Sequence, residues 1–149
     1  MIPGLSASFT RRFPGGPAIC AEGISLPPNS GVTVLFGASG SGKTTILRCL
    51  AGLDLPDTGR IELGGELWFD AALGRFVPPQ HRQIGFVPQD YALFPHLTVS
   101  QNIAYGLRDT SRAEREARAK EMMTWLGLTD WERRLPRELS GGQQQRVAL

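Results

Sequence analysis

The chain of 149 residues has only two cysteines and no long apolar run. Cys20 and Cys49 lie outside any C-x-x-C pair, so they predict no metal site and weakly favour a reducing compartment. The N-terminus lacks the apolar region of a signal peptide, and the sequence has no stretch of about 18 apolar residues that could span a membrane. We therefore expect a cytosolic protein, which would reach a membrane only by docking onto other transmembrane helices.

An excess of charge of one sign is also missing. The 16 basic and 14 acidic residues leave a net charge of +2, which gives no reason to expect a nucleic-acid-binding surface. Apolar residues make up 41% of the chain and charged residues 20%, as is usual for globular proteins. The length fits one compact domain.

The N-terminal half reads mainly as strands around one helix. Lys43–Ala51 has helical spacing of apolar residues and ends at Gly52, and Gly64-Gly65 is typical of a hairpin turn. Short apolar or alternating runs predict strands at Ala7–Thr10, Ile19–Leu26, Val32–Phe36, Arg60–Leu63, Glu66–Phe69 and Ile84–Val87.

Helices are predicted after Pro95. Two capping boxes open helical stretches, and the second stretch runs from Arg112 to about Leu126, before Gly127. Acid-before-base pairs at i,i+4 indicate a solvated face on this helix. The boxes are Thr98-x-x-Gln101 and Ser111-x-x-Glu114, and the pairs are Glu114–Arg118 and Glu116–Lys120.

A glycine-rich loop stands between the predicted strand Val32–Phe36 and the predicted helix. Its residues match G-x-x-x-x-G-K-[ST], in which backbone N–H groups and a helix N-terminus cradle phosphates. Lys43 would reach the β- and γ-phosphates, and the Thr44 hydroxyl would bind Mg²⁺. The alternative is a flexible Gly/Ser linker that matches by chance. The loop is Gly37-Ala38-Ser39-Gly40-Ser41-Gly42-Lys43-Thr44.

A second candidate anion site precedes the last predicted helix. Ser140 suits an N-cap, and Gly141 and Gly142 permit close approach of a ligand to the backbone. Taken alone, this pattern is more often only a cap and a turn.

Together, the phosphate loop and LSGGQQQRVAL at Leu139–Leu149 resemble ATP-binding cassette proteins. The resemblance implies an α/β P-loop core with an antiparallel β subdomain in residues 1–94 and a helical subdomain in 95–149. It implies ATP and Mg²⁺ as cofactors, and a head-to-tail homodimer in which each signature loop meets ATP held by the partner. The implied ATP-binding residues are the eight of the phosphate loop, Thr45, Ser140, Gly141, Gly142 and Gln143.

Two further positions enter through the same resemblance. Gln89 resembles the glutamine of the Q-loop, which contacts Mg²⁺ or the attacking water, although Pro88 stands where the family usually has an aromatic residue. Phe13 resembles the aromatic residue that stacks on adenine, with Phe9 as a rival and a core role as the alternative. The apolar segment Tyr91–Val99 resembles the region beside the permease-docking groove, or it forms the core of the helical part.

The resemblance implies an ATP-hydrolysing subunit of an importer, docked on a transmembrane permease at the cytoplasmic membrane face and served indirectly by a periplasmic binding protein. Among importers, the chain is most similar to molybdate ATPases, on the residues Trp68-Phe69-Asp70, Gly74, Pro78-Pro79 and Arg82. The Walker B aspartate, catalytic glutamate and switch histidine of the family lie beyond the signature, so we expect an N-terminal fragment that binds nucleotide weakly and does not hydrolyse it. The alternatives are a DNA-repair or translation ATPase, against which the short stretch between Gln89 and Gln143 argues, and a non-hydrolysing module.

Overall fold

The computed structural model describes residues 3–107 and 110–149. The chain divides into two compact units, of which the first ends at Gly85 and the second begins at Phe86. The first unit is built on a sheet and one long helix, and the second on helices. This order confirms the predicted succession of strands, one helix and then helices.

An antiparallel sheet of five strands forms the first unit. The strand order is β2-β1-β3-β4-β5, and every neighbouring pair runs antiparallel. Alternation along β1 turns Ala7 and Phe9 inward, because successive side chains of a strand point to opposite faces. The strands are β1 Leu5–Arg11, β2 Ile19–Leu26, β3 Thr58–Leu63, β4 Glu66–Asp70 and β5 Arg75–Phe76.

Helix α1, Lys43–Ala51, supplies Cys49 to the core of this unit. Its bounds confirm the predicted helix, and Gly52 ends it in the left-handed conformation that glycine adopts without steric penalty. The buried residues of this core are Ala7, Phe9, Ala21, Cys49, Ile61, Trp68 and Phe69.

The turn at Gly64-Gly65 joins β3 to β4 and confirms the predicted hairpin. Both glycines have positive φ values, 60° and 84°, as tight hairpin turns require. The hairpin continues to β5 through a turn in which Asp70 Oδ1 accepts hydrogen bonds from the N–H groups of Ala72 and Leu73. The Asp70 carboxylate is therefore used by its own turn.

Two predicted strands are wrong. Val32–Phe36 and Ile84–Val87 have irregular backbone, and Val32 and Phe36 are 91% and 95% exposed. A strand needs a neighbour to pair its backbone N–H and C=O groups. In residues 3–107 and 110–149 neither run belongs to the sheet. An apolar run alone is therefore not sufficient to predict a strand.

In residues 86–107 and 110–149, the second unit packs three helices and two 3-10 turns around its own core. The helices are α2 Val99–Ala104, α3 Arg112–Trp125 and α4 Gly141–Ala148, and the turns are Thr129–Trp131 and Pro136–Glu138. The core consists of Val99, Met123, Leu128, Leu139 and Val147. In the described ranges, none of the helices is both long and apolar enough to cross a membrane.

Local capping rules account for the helix starts. The Thr98 hydroxyl accepts from Gln101 N–H while the Gln101 side chain accepts from Thr98 N–H, which confirms the first capping box. Ser111 Oγ accepts from Glu114 N–H at 3.2 Å and caps α3.

The charged face of α3 is paired as predicted in one case and differently in the other. Glu114 pairs with Arg118 at 3.0 Å. Glu116 pairs at 2.9 Å with Arg112, four positions before it, and not with Lys120, four positions after it, among the residues that the structure describes.

Candidate functional site

The phosphate loop is an exposed backbone turn that leads into α1. Gly40 and Gly42 have φ values of 78° and 89°, which L side chains rarely adopt. Ser41 N–H donates to the Ala38 carbonyl at 3.2 Å and closes the turn. The glycines of the motif therefore serve the backbone shape that the motif predicts.

The N-terminus of α1 is open to an anion. No side chain caps it, its first turn contains no acidic residue, and Gly42 stands at the N-cap position. The first N–H groups of a helix have no partner within the helix, and they carry the positive end of its dipole. A bound phosphate would satisfy them.

Lys43 adds a full positive charge to this helix end. Its Nζ donates to the carbonyl oxygens of Gly37 at 2.9 Å and Ala38 at 2.6 Å, so the ammonium group lies across the loop. Thr44 is exposed and Thr45 is half-buried in the first turn of α1. The loop thus combines backbone donors, an ammonium group and an accessible hydroxyl.

The phosphate loop touches the start of β2. A Cβ atom on Gly42 would lie 2.7 Å from Cδ1 of Ile19, so only glycine fits against this side chain. Ile19 follows the turn that contains Phe13. The turn and the phosphate loop are therefore connected through β2 within the first unit.

Arg82 secures the other end of α1, a contact that sequence reasoning missed. Its guanidinium donates to the carbonyls of Cys49 at 3.2 Å and Leu50 at 2.7 Å, and to Val77 at 2.8 Å. The residue is 4% exposed, and burial lowers the pKa of its guanidinium. The guanidinium also lies 5.1 Å from the ring centroid of Trp68. A buried arginine among carbonyls fixes the helix that carries the phosphate loop.

Phe13 and its rival Phe9 occupy different environments. Phe9 is 3% exposed and belongs to the core of the first unit, whereas Phe13 is 39% exposed. The guanidinium of Arg11 lies 5.3 Å from the Phe13 ring centroid. Of the two rings, only that of Phe13 is accessible to a base.

Ser140 caps α4, the helix of the signature motif. Its Oγ accepts from Gln143 N–H at 3.4 Å, and Gln143 Oε1 accepts from Ser140 N–H at 2.7 Å. This capping box uses the N–H groups of Ser140 and Gln143. The N–H groups of Gly141 and Gly142 lie in the first turn between them, and both residues are exposed. The helix begins at Gly141, so Ser140 stands at the N-cap position that the sequence predicted.

The start of α4 is fixed by side chains that the sequence did not single out. Gln144 Nε2 donates to the carbonyls of Pro136 at 3.0 Å and Leu139 at 3.2 Å. Arg146 Nη1 donates to the Leu126 carbonyl at 3.0 Å, beyond the end of α3. These bonds hold the signature turn in place within the second unit.

Gln89 lies exposed in a turn of the second unit. Tyr91 N–H donates to the Pro88 carbonyl at 3.0 Å, and Tyr91 and Ala92 have φ values of 61° and 48°. Positive φ is rare for residues with a Cβ atom, and such strain is concentrated at functional segments. The segment around Gln89 is therefore a turn under strain.

The apolar segment after Gln89 contributes to the core of the second unit. Val99 is fully buried, and Leu93 packs against the same cluster. Asn102 Oδ1 accepts from Phe94 N–H, and Asn102 Nδ2 donates to the Phe94 carbonyl. The ring centroids of Phe94 and Tyr105 lie 4.1 Å apart. The core interpretation therefore holds for Val99 and Leu93.

The predicted site residues fall in both units. Phe13 and the phosphate loop lie in the first unit, and Gln89 and the signature residues lie in the second. No cluster of three or more His, Cys, Asp or Glu side chains that could hold a metal ion occurs in residues 3–107 and 110–149.

A glycine loop with a lysine at the start of a helix defines the class of P-loop proteins. Residues 23–149 match the family profile described as ABC transporter. This match covers most of the chain, and the chain therefore belongs to the ABC transporter family.

Similar proteins include import ATPases of bacteria. The chain is 48% identical to "Molybdenum import ATP-binding protein ModC 1" of Azotobacter vinelandii, over 82% of this chain and 34% of that protein. It is 51% identical to "Fe(3+) ions import ATP-binding protein FbpC" of Yersinia pestis, over 85% of this chain and 35% of that protein. The chain thus spans little more than a third of these relatives' length.

Solved cassette structures share the fold. The chain matches a dimeric ABC transporter cassette, MJ0796, with a TM-score of 0.69 and 28% identity, over 99% of this chain and 67% of that one. A post-hydrolysis structure of the same cassette, bound to ADP and Pi, matches with a TM-score of 0.72 and 30% identity over the same shares. The predicted cassette fold with an antiparallel sheet is confirmed.

Proposed function

We propose that the whole protein is the ATP-hydrolysing subunit of an ABC importer. The observation that carries this proposal is the N-terminus of α1, which no side chain caps, together with the ammonium group of Lys43. This ammonium group donates to the carbonyls of Gly37 and Ala38. Backbone donors, helix dipole and lysine together favour a polyphosphate. In this proposal, Phe13 stacks on adenine and residues 1–94 and 95–149 form the core and the helical subdomain.

Mg²⁺ fits the oxygen donors of the proposed site. The Thr44 hydroxyl is exposed at the first turn of α1, beside the loop. A hydroxyl and the amide oxygen of Gln89 are hard ligands of the kind that Mg²⁺ takes, with phosphate oxygens and water. When bound, Mg²⁺ neutralises charge on the phosphates. Lys43 binds and orients the β- and γ-phosphates, and Gln89 positions the attacking water.

The signature residues act on ATP held by a second copy. Ser140 Oγ accepts from Gln143 N–H, which leaves its O–H able to donate to a γ-phosphate oxygen. The N–H groups of Gly141 and Gly142 add two more donors at the positive end of α4. ATP then bridges two copies head to tail, and ADP does not, because it lacks the bridging phosphate. The dimeric form of the similar cassette supports this arrangement.

The proposed machine imports molybdate or a related oxyanion. Relatives named for molybdenum import support this cargo, and relatives named for Fe(3+) import make ferric ion the second candidate. The ATPase would bind peripherally at the cytoplasmic membrane face to a transmembrane permease, which receives cargo from a periplasmic binding protein. Nucleic acid is not among the proposed partners.

The test is ATP-dependent dimerisation, measured by light scattering after size-exclusion chromatography of the full-length protein. Ser140→Ala removes the O–H donor and should weaken the ATP-dependent dimer by at least about tenfold. Ser111→Ala is the matched control, since Ser111 caps α3 in the same way and both variants lose a cap of about 1 kcal/mol. A dimer that ignores ATP, or one equally weakened by both variants, would contradict the proposal.

A further inference from the structure

Asp57 is fastened to the residues that precede Phe13. Its Oδ2 accepts from Arg12 N–H at 2.7 Å and from Arg11 Nη1 at 3.5 Å. Its own N–H donates to the Thr10 carbonyl at 2.8 Å. One residue of the connection between α1 and β3 thus holds three consecutive residues at the end of β1.

These contacts reach the Phe13 ring through Arg11. The Arg11 guanidinium bonded to Asp57 also lies 5.3 Å from the ring centroid. It covers one face of the ring, while 39% of Phe13 remains exposed. The carboxylate is held in its charged form, because the Arg12 N–H and the nearby Arg11 lower the pKa of Asp57.

The turn that contains Phe13 is the loop of the β1–β2 hairpin, and the sheet pairing ends at Arg11 and Ile19. Residues 14–17 beyond that pair are exposed, and within the turn Gly16 N–H donates to the Phe13 carbonyl at 3.0 Å. Beyond the turn, Ile19 contacts Gly42 of the phosphate loop. The position of the ring relative to the phosphate loop therefore depends on how its N-terminal side is held.

We infer that Asp57 is a positioning residue for base binding, which holds the turn so that Phe13 can stack on adenine. The inference rests on the proposed function, because it requires that the site takes an adenine nucleotide. Asp57 does not touch the nucleotide. It affects the contribution of the base to the binding affinity, and it does not change the contribution of the phosphates.

The experiment compares ATP with tripolyphosphate, which has the phosphates but no base, by calorimetric titration of the full-length protein. Loss of a stacking contact weakens binding by about tenfold, so Asp57→Ala should weaken ATP binding by up to that factor and leave tripolyphosphate binding unchanged. Phe13→Ala removes the stacking ring itself, so its loss of ATP affinity is the largest loss that Asp57→Ala can cause through the ring. The double variant should bind ATP no more weakly than Phe13→Ala alone, because both changes remove the same contribution.

Asp54→Ala is the matched control. Asp54 lies in the same connection and pairs with Arg48 at 2.8 Å, but in the part of the chain that the structure describes its carboxylate makes no hydrogen bond to Arg11 or Arg12. It should leave the ratio of ATP to tripolyphosphate affinity unchanged. If Asp57→Ala does not fold, Asp57→Asn decides, since its amide oxygen can still accept from Arg12 N–H while the ion pair with Arg11 is lost.

The outcomes separate this inference from the proposed function. A base-selective loss in the Asp57 variants supports the inference. An equal loss for both ligands, or no loss, overturns it while ATP binding by the unaltered protein still stands. Failure of the unaltered protein to bind either ligand overturns the proposed function and the inference together.

Discussion

Arg82 Nη1 donates to the Leu50 carbonyl at 2.7 Å and thereby binds the C-terminal end of the helix that begins at the phosphate loop. The carbonyl oxygens of Cys49 and Val77 also accept hydrogen bonds from the Arg82 guanidinium. The carbonyls at the end of a helix have no partner within it. Arg82 therefore adds a charged donor at this helix end, where the Cys49 carbonyl also accepts from Gly52 N–H at 3.1 Å.

Replacing Arg82 by methionine should destabilise the protein by about 3 kcal/mol, because several acceptors lose a charged donor. Urea unfolding followed by circular dichroism measures the change. Arg60→Met is the control, since the Arg60–Glu62 pair is exposed and its loss should change stability by less than about 0.5 kcal/mol. Equal effects of the two variants would show that the buried bonds add nothing.

Gly42→Ala should be more harmful than Gly40→Ala. Both glycines have positive φ, but an added Cβ would meet open space at Gly40 and would approach Ile19 to 2.7 Å at Gly42. Each substitution costs about 1 kcal/mol of backbone strain, and only Gly42→Ala adds the steric collision. Combining Gly42→Ala with Ile19→Ala should recover part of the difference in urea unfolding. Identical losses at both glycines would contradict the close contact.

The Cys49 thiol should resist both alkylation and ionisation. It is fully buried, and burial raises its pKa to about 11, from 9.0. The folded state therefore favours the neutral thiol. Its contribution, about 3 kcal/mol, is present below pH 9 and is lost as pH rises from about 9 through about 11.

Alkylation of the native protein at neutral pH should modify Cys20, which is exposed, and should reach Cys49 only after unfolding. Mass spectrometry of the alkylated peptides distinguishes the two sites. In the Cys49→Ala variant, the loss of unfolding free energy between about pH 9 and about pH 11 should disappear. Rapid labelling of Cys49 in the folded protein would show that the core around α1 is open.

Patterns set by a few neighbouring residues were predictable from the sequence. The capping box at Thr98, the N-caps at Ser111 and Ser140, the end of α1 at Gly52 and the Gly64-Gly65 hairpin each follow from local hydrogen bonds or from one backbone angle. Phe9 lies inside β1 on the inward face of Ala7, whereas Phe13 lies beyond Arg11, where the strand ends. Alternation alone would put both rings on the same face, so the end of the strand separates them.

Features that depend on distant partners were not predictable. Val32–Phe36 has the apolar character of a buried strand, but pairing along the backbone decides whether a strand forms. Arg82 binds carbonyls more than 30 positions earlier in the chain, at Cys49 and Leu50. No spacing rule connects such residues, and the same applies to Asp57 and Arg12.

The most direct test of the account is a calorimetric titration of the full-length protein with MgATP, before and after Lys43→Ala. The substitution removes the ammonium group held by the Gly37 and Ala38 carbonyls, and loss of a charged hydrogen bond corresponds to a weakening of about 10- to 100-fold. Lys120→Ala, on the exposed face of α3, should leave the affinity unchanged. The account predicts saturable binding that Lys43→Ala reduces by at least tenfold. Unchanged binding in Lys43→Ala, or no binding by the unaltered protein, would contradict it.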